Sequence, residues 1–499
     1  MGMIKIENVT FQYDGMLTPI FANLNLNIDQ HWRMGLIGRN GRGKTTFLKL
    51  LLGQLQFTGQ IQTNLTFKYF PEPVPDATQM TSDILLRQAQ LDDSELWRIQ
   101  SELPDLQVAD EVLWRPFETL SPGEQTKVQL AALFCQPNTF QLIDEPTNHL
   151  DAVGRTVVAN YLRKKQGFIV VSHDRQFINQ VIDHVLSIDR AQIELLAGNY
   201  DTWQAAYDNQ NAAETKAQSK LQHEIKSLTR SSAQTKQWAG KAEQQKQKNI
   251  KQDQHANLDK GFLGHKAAKM MKRSKMAAER SQQAIQDKRQ LLQNVDDVPE
   301  LTMNYQPAKT NTPLLTVNDL QVKRGQQWLA QPVSFEISNH DRLILSGENG
   351  AGKSSLLAAL LPQATIEYRG TINWAHQAKV SYVAQSFEQL SGSLTAYAEK
   401  NGVAVDQFFN LLRKLGFERA YFQTPMQELS MGQKRKVNLA RSLCEPANLY
   451  IWDEPLNYLD VITRQQIEDL ILTVAPAMLI IDHDQLFVEH VATQPAIEI

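Results

Sequence analysis

Two short stretches decide the fold: Gly38–Thr45, GRNGRGKT, and Gly347–Ser354, GENGAGKS. Both fit the phosphate-binding pattern of spaced glycines closed by Lys and a hydroxyl residue. Each sits between an apolar strand-like run (MGLI, RLIL) and an apolar helix-like run (FLKLLL, LLAALL), the context that the motif requires. The glycines let backbone N–H groups curl around phosphate oxygens at a helix N-terminus, where the helix dipole favours an anion. Lys44 and Lys353 are placed to neutralise β- and γ-phosphates, and Thr45 and Ser354 to offer hydroxyls to Mg²⁺. Gly38, Asn40, Gly41, Gly43 and Thr46 complete one loop; Gly347, Asn349, Gly350, Gly352 and Ser355 complete the other. ATP and Mg²⁺ are therefore the expected cofactors.

The loops are part of a larger repeat. LSPGEQTKVQLAALFCQP at 120–137 matches LSMGQKRKVNLARSLCEP at 429–446, and LIDEPTNHLD at 142–151 matches IWDEPLNYLD at 451–460. Lys44 and Lys353, Asp144 and Asp453, and even Cys135 and Cys444 all stand 309 residues apart. Equal spacing over so long a stretch means tandem duplication of a whole domain, a larger unit than a solenoid repeat. Each half opens with alternating apolar residues, IKIENVTF and LTVNDLQV, and continues with short buried strands between helices. That order predicts an α/β fold with a mostly parallel sheet whose chemistry sits at strand C-termini.

The acidic motif ends an apolar strand in each half. Asp144 and Asp453 stand where a carboxylate reaches Mg²⁺ through its water shell. Glu145 and Glu454 follow, placed to orient and deprotonate an attacking water. His173 and His483 end the next strand (FIVVSHD, AMLIIDHD), where a histidine can bond the γ-phosphate. Any one of these residues alone would more often be a surface or core residue; an ordered set occurring twice is a nucleotide site.

LSPGE at 120–124 and LSMGQ at 429–433 resemble the signature motif of ATP-binding-cassette ATPases. The resemblance implies two cassettes closing head to tail, each ATP held between one phosphate loop and the other cassette's signature. Site one would pair Lys44, Asp144, Glu145 and His173 with Ser430 and Gly432. Site two would pair Lys353, Asp453, Glu454 and His483 with Ser121 and Gly123. Asp151 and Asp460 match the loop that links the two sites in that family, Gln385 its metal- and water-contacting glutamine, and Tyr13 its adenine-stacking aromatic. Four positions depart from the pattern. Pro122 and Met431 replace the first signature glycine, and Pro has no N–H. Glu72 stands in the first half where Gln385 stands in the second. Arg324, with Trp328 nearby, stands where Tyr13 does; a guanidinium plane can also stack. The two sites are expected to be unequal.

Residues 200–300 belong to neither copy. From Lys216 to Arg289 there are 18 Lys plus Arg against 6 Asp plus Glu, although the whole chain has a net charge of only −3. No proline falls between Pro146 and Pro299, and Gln, Lys and Ala, all good helix formers, abound. Leu221, Ile225 and Leu228 form one stripe. Ala267, Met271, Ser274, Ala278, Ser281, Ile285, Lys288, Leu292 and Val295 form another at coiled-coil spacing. The pattern predicts an antiparallel helical hairpin with its tip around Trp238 to Gly264, the apolar pair Phe262–Leu263 within it. Expected domains are a cassette at 1–200, the basic linker at 201–300 and a second cassette at 301–499. A spacer needs no such charge imbalance; a phosphate-rich surface suits it through salt-dependent backbone contacts. Lys266, Lys269, Lys272, Arg273 and Lys275 are the linker residues expected to face RNA.

Two fused cassettes, no membrane domain and a basic helical linker together resemble the ABC-F family of ribosome-associated translation proteins. Stretches such as VLWRPFETLS, KMMKRSK, LRKLGFERA and YIWDEPLNYLD resemble its Lsa-type antibiotic-resistance branch most. That resemblance implies a bacterial 70S ribosome partner, with the linker entering the exit-tRNA site beside rRNA and peptidyl-tRNA. It also implies protection against lincosamides, pleuromutilins and streptogramin A, and a monomer whose cassettes pair within one chain. A housekeeping translation factor and the energising subunit of a membrane exporter are the other readings. The chain lacks an apolar run of the roughly 18 residues a membrane helix needs and begins without a signal-peptide core, so a cytoplasmic location is expected. Two cysteines cannot build the Cys₄ zinc site common in DNA-repair relatives, so no DNA partner is expected. Both sit in apolar surroundings and read as reduced core thiols.

Overall fold

The structure, a computed structural model, describes residues 2–14, 19–148, 150–189, 191–252, 276, 280, 283, 300–309, 312–324, 327–328, 331–347, 350–361, 366–376, 378–387, 389–482 and 484–499. It divides into two compact units, Met1–Trp203 with Glu300–Ile499, and Gln204–Pro299.

In the first unit the duplication is visible element by element. The strands Met3–Phe11 and Leu315–Arg324 each anchor a small antiparallel sheet. Alternation buries Ile4, Ile6, Val9 and Phe11 on one face and leaves Met3 and Lys5 outside, as a period of two requires. The main sheet of the first half runs Thr66–Phe70, Thr139–Asp144, Phe168–Val171, Arg33–Gly38, His184–Asp189 and Gln192–Ala197, parallel except for the last pair. The second half repeats the inner order with Val380–Val383, Leu449–Asp453, Ala477–Ile481 and Arg342–Ser346. Phe168–Val171 and Ala477–Ile481 are buried at every position, because helices cover both faces of a parallel sheet. Each such Val, Ile, Leu or Phe side chain contributes roughly 1.5–3 kcal/mol through burial. In this arrangement the strands that lead into the phosphate loop, the acidic motif and the histidine are parallel neighbours, so all three end at the same, C-terminal, end of the sheet.

The second unit is dominated by one helix, Tyr200–Gln252, of 53 residues, about 80 Å at 1.5 Å per residue. Its first turn belongs to the first unit, where Tyr200 and Trp203 are buried. Ile225 and Leu228 of the stripe are half-buried, while their neighbours Lys226, Ser227 and Arg230 are exposed. The expected tip is corrected at its near end: the helix continues through Trp238 and Gly240 to Gln252. A lone glycine costs a helix only ~1 kcal/mol relative to Ala, which strong helix formers on both sides offset. Of the predicted return arm, residues 276, 280 and 283 are helical. The seam residues, Phe262, Leu263, Lys266, Lys269, Lys272, Arg273 and Lys275 lie outside the described residues. Among the described residues no helix is long and apolar enough to cross a membrane.

Candidate nucleotide sites

The two phosphate loops are built alike. Gly43 and Gly352 cap the helices Lys44–Leu51 and Lys353–Leu360 at φ 99° and 103°, a conformation that strains any side-chain-bearing residue. Among the described residues no side chain caps either helix, so the first N–H groups are left for an anion. Lys44 Nζ donates to the Gly38 carbonyl at 2.7 Å, and Lys353 Nζ to the Gly347 carbonyl at 2.7 Å. Thr45 is exposed beside its loop, and Ser354 faces Asp453. Asn349 and His483 lie outside the described residues.

The acidic ends also match. Glu145 and Glu454 adopt φ 52° and 48°, a left-handed conformation rare for glutamate, and each N–H bonds the neighbouring strand (Val171 O, Ile481 O) at 2.8 Å. Such backbone outliers persist where surrounding structure over-determines them, commonly at functional sites. Glu145 Oε1 stands 3.2 Å from His173 Nε2. In the other site Gln385 Nε2 donates to Glu454 Oε1 at 2.8 Å, and Asn457 Nδ2 to Glu454 Oε2 at 2.5 Å. Both Asp453 oxygens are buried, and among the described residues neither has a well-aligned donor. A buried carboxylate beside a serine hydroxyl and a helix N-terminus suits a hydrated divalent cation on a polyphosphate.

Electrostatics follow from burial. Burial and the adjacent Asp144 charge push the Glu145 carboxyl up to about 8, against the opposing pull of Lys44 and Arg464. Burial pushes Asp453 up to about 6. Burial, then Lys44 and Arg464, hold His173 well below the usual imidazole range, so it is neutral. Burial would raise the Asp460 carboxyl; Lys436, Lys44 and the N–H groups of Asn40 and Thr463 outweigh it and hold it well below the usual carboxylate range.

The halves meet at site one. The Asn40 N–H donates to Asp460 Oδ2 at 3.0 Å, and Asn40 Nδ2 to the Tyr458 carbonyl at 2.8 Å. Asn40 also takes Lys44 Nζ on its Oδ1 at 3.1 Å. Gly432 of the signature lies so close that a Cβ there would stand 2.8 Å from Tyr458 O and 2.9 Å from Asn40 Nδ2. The expected juxtaposition of the first phosphate loop with Gly432 is thus present, bridged by Asn40. Ser430 and Ser121 cap the signature helices Met431–Cys444 and Pro122–Leu133, each in a capping box with residue 433 or 124. Pro122 falls on the first helical position, where its missing N–H leaves no intrahelical bond unmade. Gly123 follows it, half-exposed. Asp460 is fully buried, while its counterpart Asp151 is half-exposed and caps its own helix through the Gly154 N–H at 2.7 Å.

Other expected residues take more particular positions. The Tyr13 hydroxyl shares a hydrogen bond with Thr46 at 3.1 Å, and its ring packs edge-on against Phe11. In the second half Trp328 is covered by the Arg369 guanidinium at 4.1 Å; the Arg324 side chain is outside the described set. Glu72 stands with Lys68, Gln88 and Gln129 around a small cleft. The hydrogen bond to Asp144 Oδ2 comes instead from the Tyr69 hydroxyl, at 3.1 Å. Sequence reading passed over Tyr69, although KYFPEP and SYVAQ both place a tyrosine three residues before Glu72 and Gln385. It also missed Arg435, fully buried, which donates to the carbonyls of Ala384 and Gln385 at 3.0 Å each and lies over the Phe387 ring. Lys436, 3.3 Å from Asp460, was missed as well.

Comparison with known proteins agrees with this geometry. The ABC transporter family model matches residues 21–148 and 330–457, one stretch per half and together just over half of the chain. The chain is 25% identical over 495 residues to the ribosome protection protein VmlR of Bacillus subtilis (strain 168), covering 98% of this chain and 85% of the relative. It is 28% identical over 508 residues to the erythromycin resistance ATP-binding protein MsrA of Staphylococcus epidermidis, covering 98% and 97%. The ATP-binding protein Uup of Caulobacter vibrioides is 27% identical over 490 residues, covering 95% and 74%. Among solved structures, the archaeal ribosome recycling factor aABCE1, in complex with the stalk protein aP1, has a similar fold (TM-score 0.62, 18% identity, 98% of this chain and 87% of that one). The chain belongs to the ABC transporter family, as a tandem-cassette ATPase of the ABC-F type.

Proposed function

We propose that this ATPase is a ribosome-protection factor of the Lsa-type branch. It binds the bacterial 70S ribosome, carries its basic helical unit toward the exit-tRNA site and peptidyl-transferase centre, and lowers sensitivity to lincosamide, pleuromutilin and streptogramin A drugs. One observation carries the reading: two relatives aligned along nearly the whole chain are named for ribosome protection and for antibiotic resistance. The charge distribution supports it, with 18 basic against 6 acidic residues between Lys216 and Arg289. A cationic helix binds phosphate-rich RNA through counterion release, without needing to read sequence.

In this reading bound MgATP supplies a cleavable γ-phosphoryl group and the charge that draws the signature motifs in. Lys44 and Lys353 balance the phosphate charge, and the N–H groups behind Gly43 and Gly352 hold it. Thr45, Ser354, Asp144, Asp453 and Gln385 would hold the hydrated metal. Glu145 and Glu454 accept the proton of the attacking water, with His173 beside Glu145 and Gln385 beside Glu454 fixing their orientation. Ser430, Gly432, Ser121 and Gly123 close each site from the opposite cassette. Closure lasts while the γ-phosphate contacts last, so hydrolysis releases the protein.

The test is the double variant Glu145→Gln with Glu454→Gln, which retains the nucleotide and lacks the bases. It should accumulate on ribosomes in ATP, while the unaltered protein cycles off. The unaltered protein, expressed in a drug-sensitive bacterium, should raise tolerance to lincomycin or tiamulin. A trapped variant that sediments free of ribosomes refutes the ribosome reading. Trapping without any gain in tolerance assigns the chain to housekeeping translation instead.

A further inference from the structure

The helix Val461–Val474 meets the first cassette along one face, and that face differs from its duplicate at a single rung. Asp460, Arg464 and Glu468 are spaced four apart and so share one side of the helix. Asp460 takes the Asn40 N–H of the first phosphate loop. Arg464 acts electrostatically on both Glu145 and His173, and pairs with Asp484 at 3.3 Å. Glu468 takes Arg175 Nη1 at 2.9 Å on one oxygen and His490 Nδ1 at 2.6 Å on the other. Arg175 Nη1 also donates to Gln465 Oε1 at 2.8 Å. Arg175 and Glu468 are 5% and 2% exposed, so this is a buried ion pair between the two halves of the chain. Arg175 lies two residues after His173, in the first turn of the helix Arg175–Val181.

The duplicated helix Ala152–Arg163 repeats the first two rungs. Asp151 caps it, and Arg155 pairs with Asp174 at 3.2 Å as Arg464 does with Asp484. The third rung is changed: Ala159 stands for Glu468, Thr156 for Gln465, Gln485 for Arg175 and Gln180 for His490. These four residues line a cavity of about 30 Å³. One edge of the paired cassettes is therefore closed by charge, while none of the replacements on the other edge is an acid or a base.

We propose that Arg175 is a positioning residue for ATP site one. Anchored on Glu468 and Gln465, it fixes the turn that follows His173 against the helix capped by Asp460. Site one is thereby held assembled through the ATPase cycle, and opening after hydrolysis is concentrated at site two. A buried pair suits this role, because removing one partner strands the other charge, at a cost far above that of a surface pair.

The experiment uses the full chain with one site silenced at a time. In a Glu454→Gln background the remaining turnover is that of site one; in a Glu145→Gln background it is that of site two. Arg175→Gln installs the residue of the duplicate edge. It is expected to lower site-one kcat tenfold or more and to raise its KM for ATP, while site-two kcat stays within twofold. Joining Arg175→Glu with Glu468→Arg should restore site-one kcat to within threefold, by rebuilding the pair with reversed polarity. Building the pair on the other edge, with Gln485→Arg and Ala159→Glu, should slow nucleotide release from site two. Equal loss in both backgrounds, or unchanged site-one kinetics, overturns the proposal. If Arg175→Gln fails to fold, the reversed pair decides: recovery of site-one turnover upholds the proposal, and no recovery ends it.

Discussion

Replacing Asp460 by Asn separates charge from capping at the cassette junction. Asn is as good an N-cap as Asp, so the start of the helix Val461–Val474 should be preserved. What is lost is a fully buried negative charge. It accepts from the Asn40 N–H at 3.0 Å, the Thr463 N–H and hydroxyl at 2.8 Å each, and Lys436 Nζ at 3.3 Å. The Lys436 side chain is only 3% exposed and has nowhere to rehydrate. Removing one member of such a pair costs roughly 3–5 kcal/mol. The nearby Lys44 ammonium, itself held below its usual range by burial, adds to the stranded positive charge. At a urea m-value of roughly 1–3 kcal/mol/M, a loss of about 3 kcal/mol moves the midpoint of the transition that unfolds the paired cassettes by about 1–3 M. Asp151→Asn, at the half-exposed duplicate, should move it by no more than about 0.3 M by the same slope. Both are read from urea titrations followed by far-UV circular dichroism. A further arm tests the cause: adding Lys436→Met to Asp460→Asn removes the orphaned ammonium and should recover at least half of the loss. Equal midpoints for the two Asn variants, or a further drop on adding Met, would refute the reasoning.

Two other outcomes follow from the same geometry. Tyr69→Phe removes the hydroxyl that donates to Asp144 Oδ2, a bond to a charged acceptor worth roughly 1.5–3 kcal/mol; with site two silenced, ATPase activity should fall about tenfold or more, and an unchanged rate would show that Asp144 needs no such donor. Burial pushes the Cys135 thiol up to about 12 and the Cys444 thiol up to about 11, so both stay protonated at pH 8 and gain thiolate only as the pH climbs toward those values. Neither should react with a disulfide reagent in the native protein within minutes, and both should react once urea opens the fold; rapid native labelling of either would place that thiol at the surface.

What could be read from the sequence was whatever the chain repeats locally. The phosphate loops, acidic strand ends and signature helices are contiguous motifs, and their common offset carried the duplicated fold, while the pairing of sites came from the resemblance of the signature motifs to ATP-binding-cassette ATPases. The near end of the expected tip at Trp238 fell inside a helix, because Gln, Lys and Ala on both sides of Gly240 carry the helix through it. Tyr69 was hidden because its importance depends on the parallel register that sets Tyr69 opposite Leu142, two residues before Asp144. Asn40–Asp460 and Arg175–Glu468 join residues some 420 and 293 positions apart. No periodicity or spacing rule reaches that far.

Inequality of the sites was expected from Pro122, Glu72 and Arg324, yet the structure locates it elsewhere as well. Pro122 sits on a helix position that tolerates it, and the bond to Asp144 is made by Tyr69 and not from the Glu72 position. The sharper difference lies behind the sites, in which helix carries a third charged rung. A duplicated machine with two identical edges would open at either one. With Glu468 on one helix and Ala159 on the other, the two edges differ by a buried ion pair. A difference of a few kcal/mol between two competing openings is enough to make one of them dominate by two orders of magnitude or more. On the proposed ribosome, a clamp that always gives way at the same edge would bring the basic helix in and out along one path, and a symmetric clamp would not.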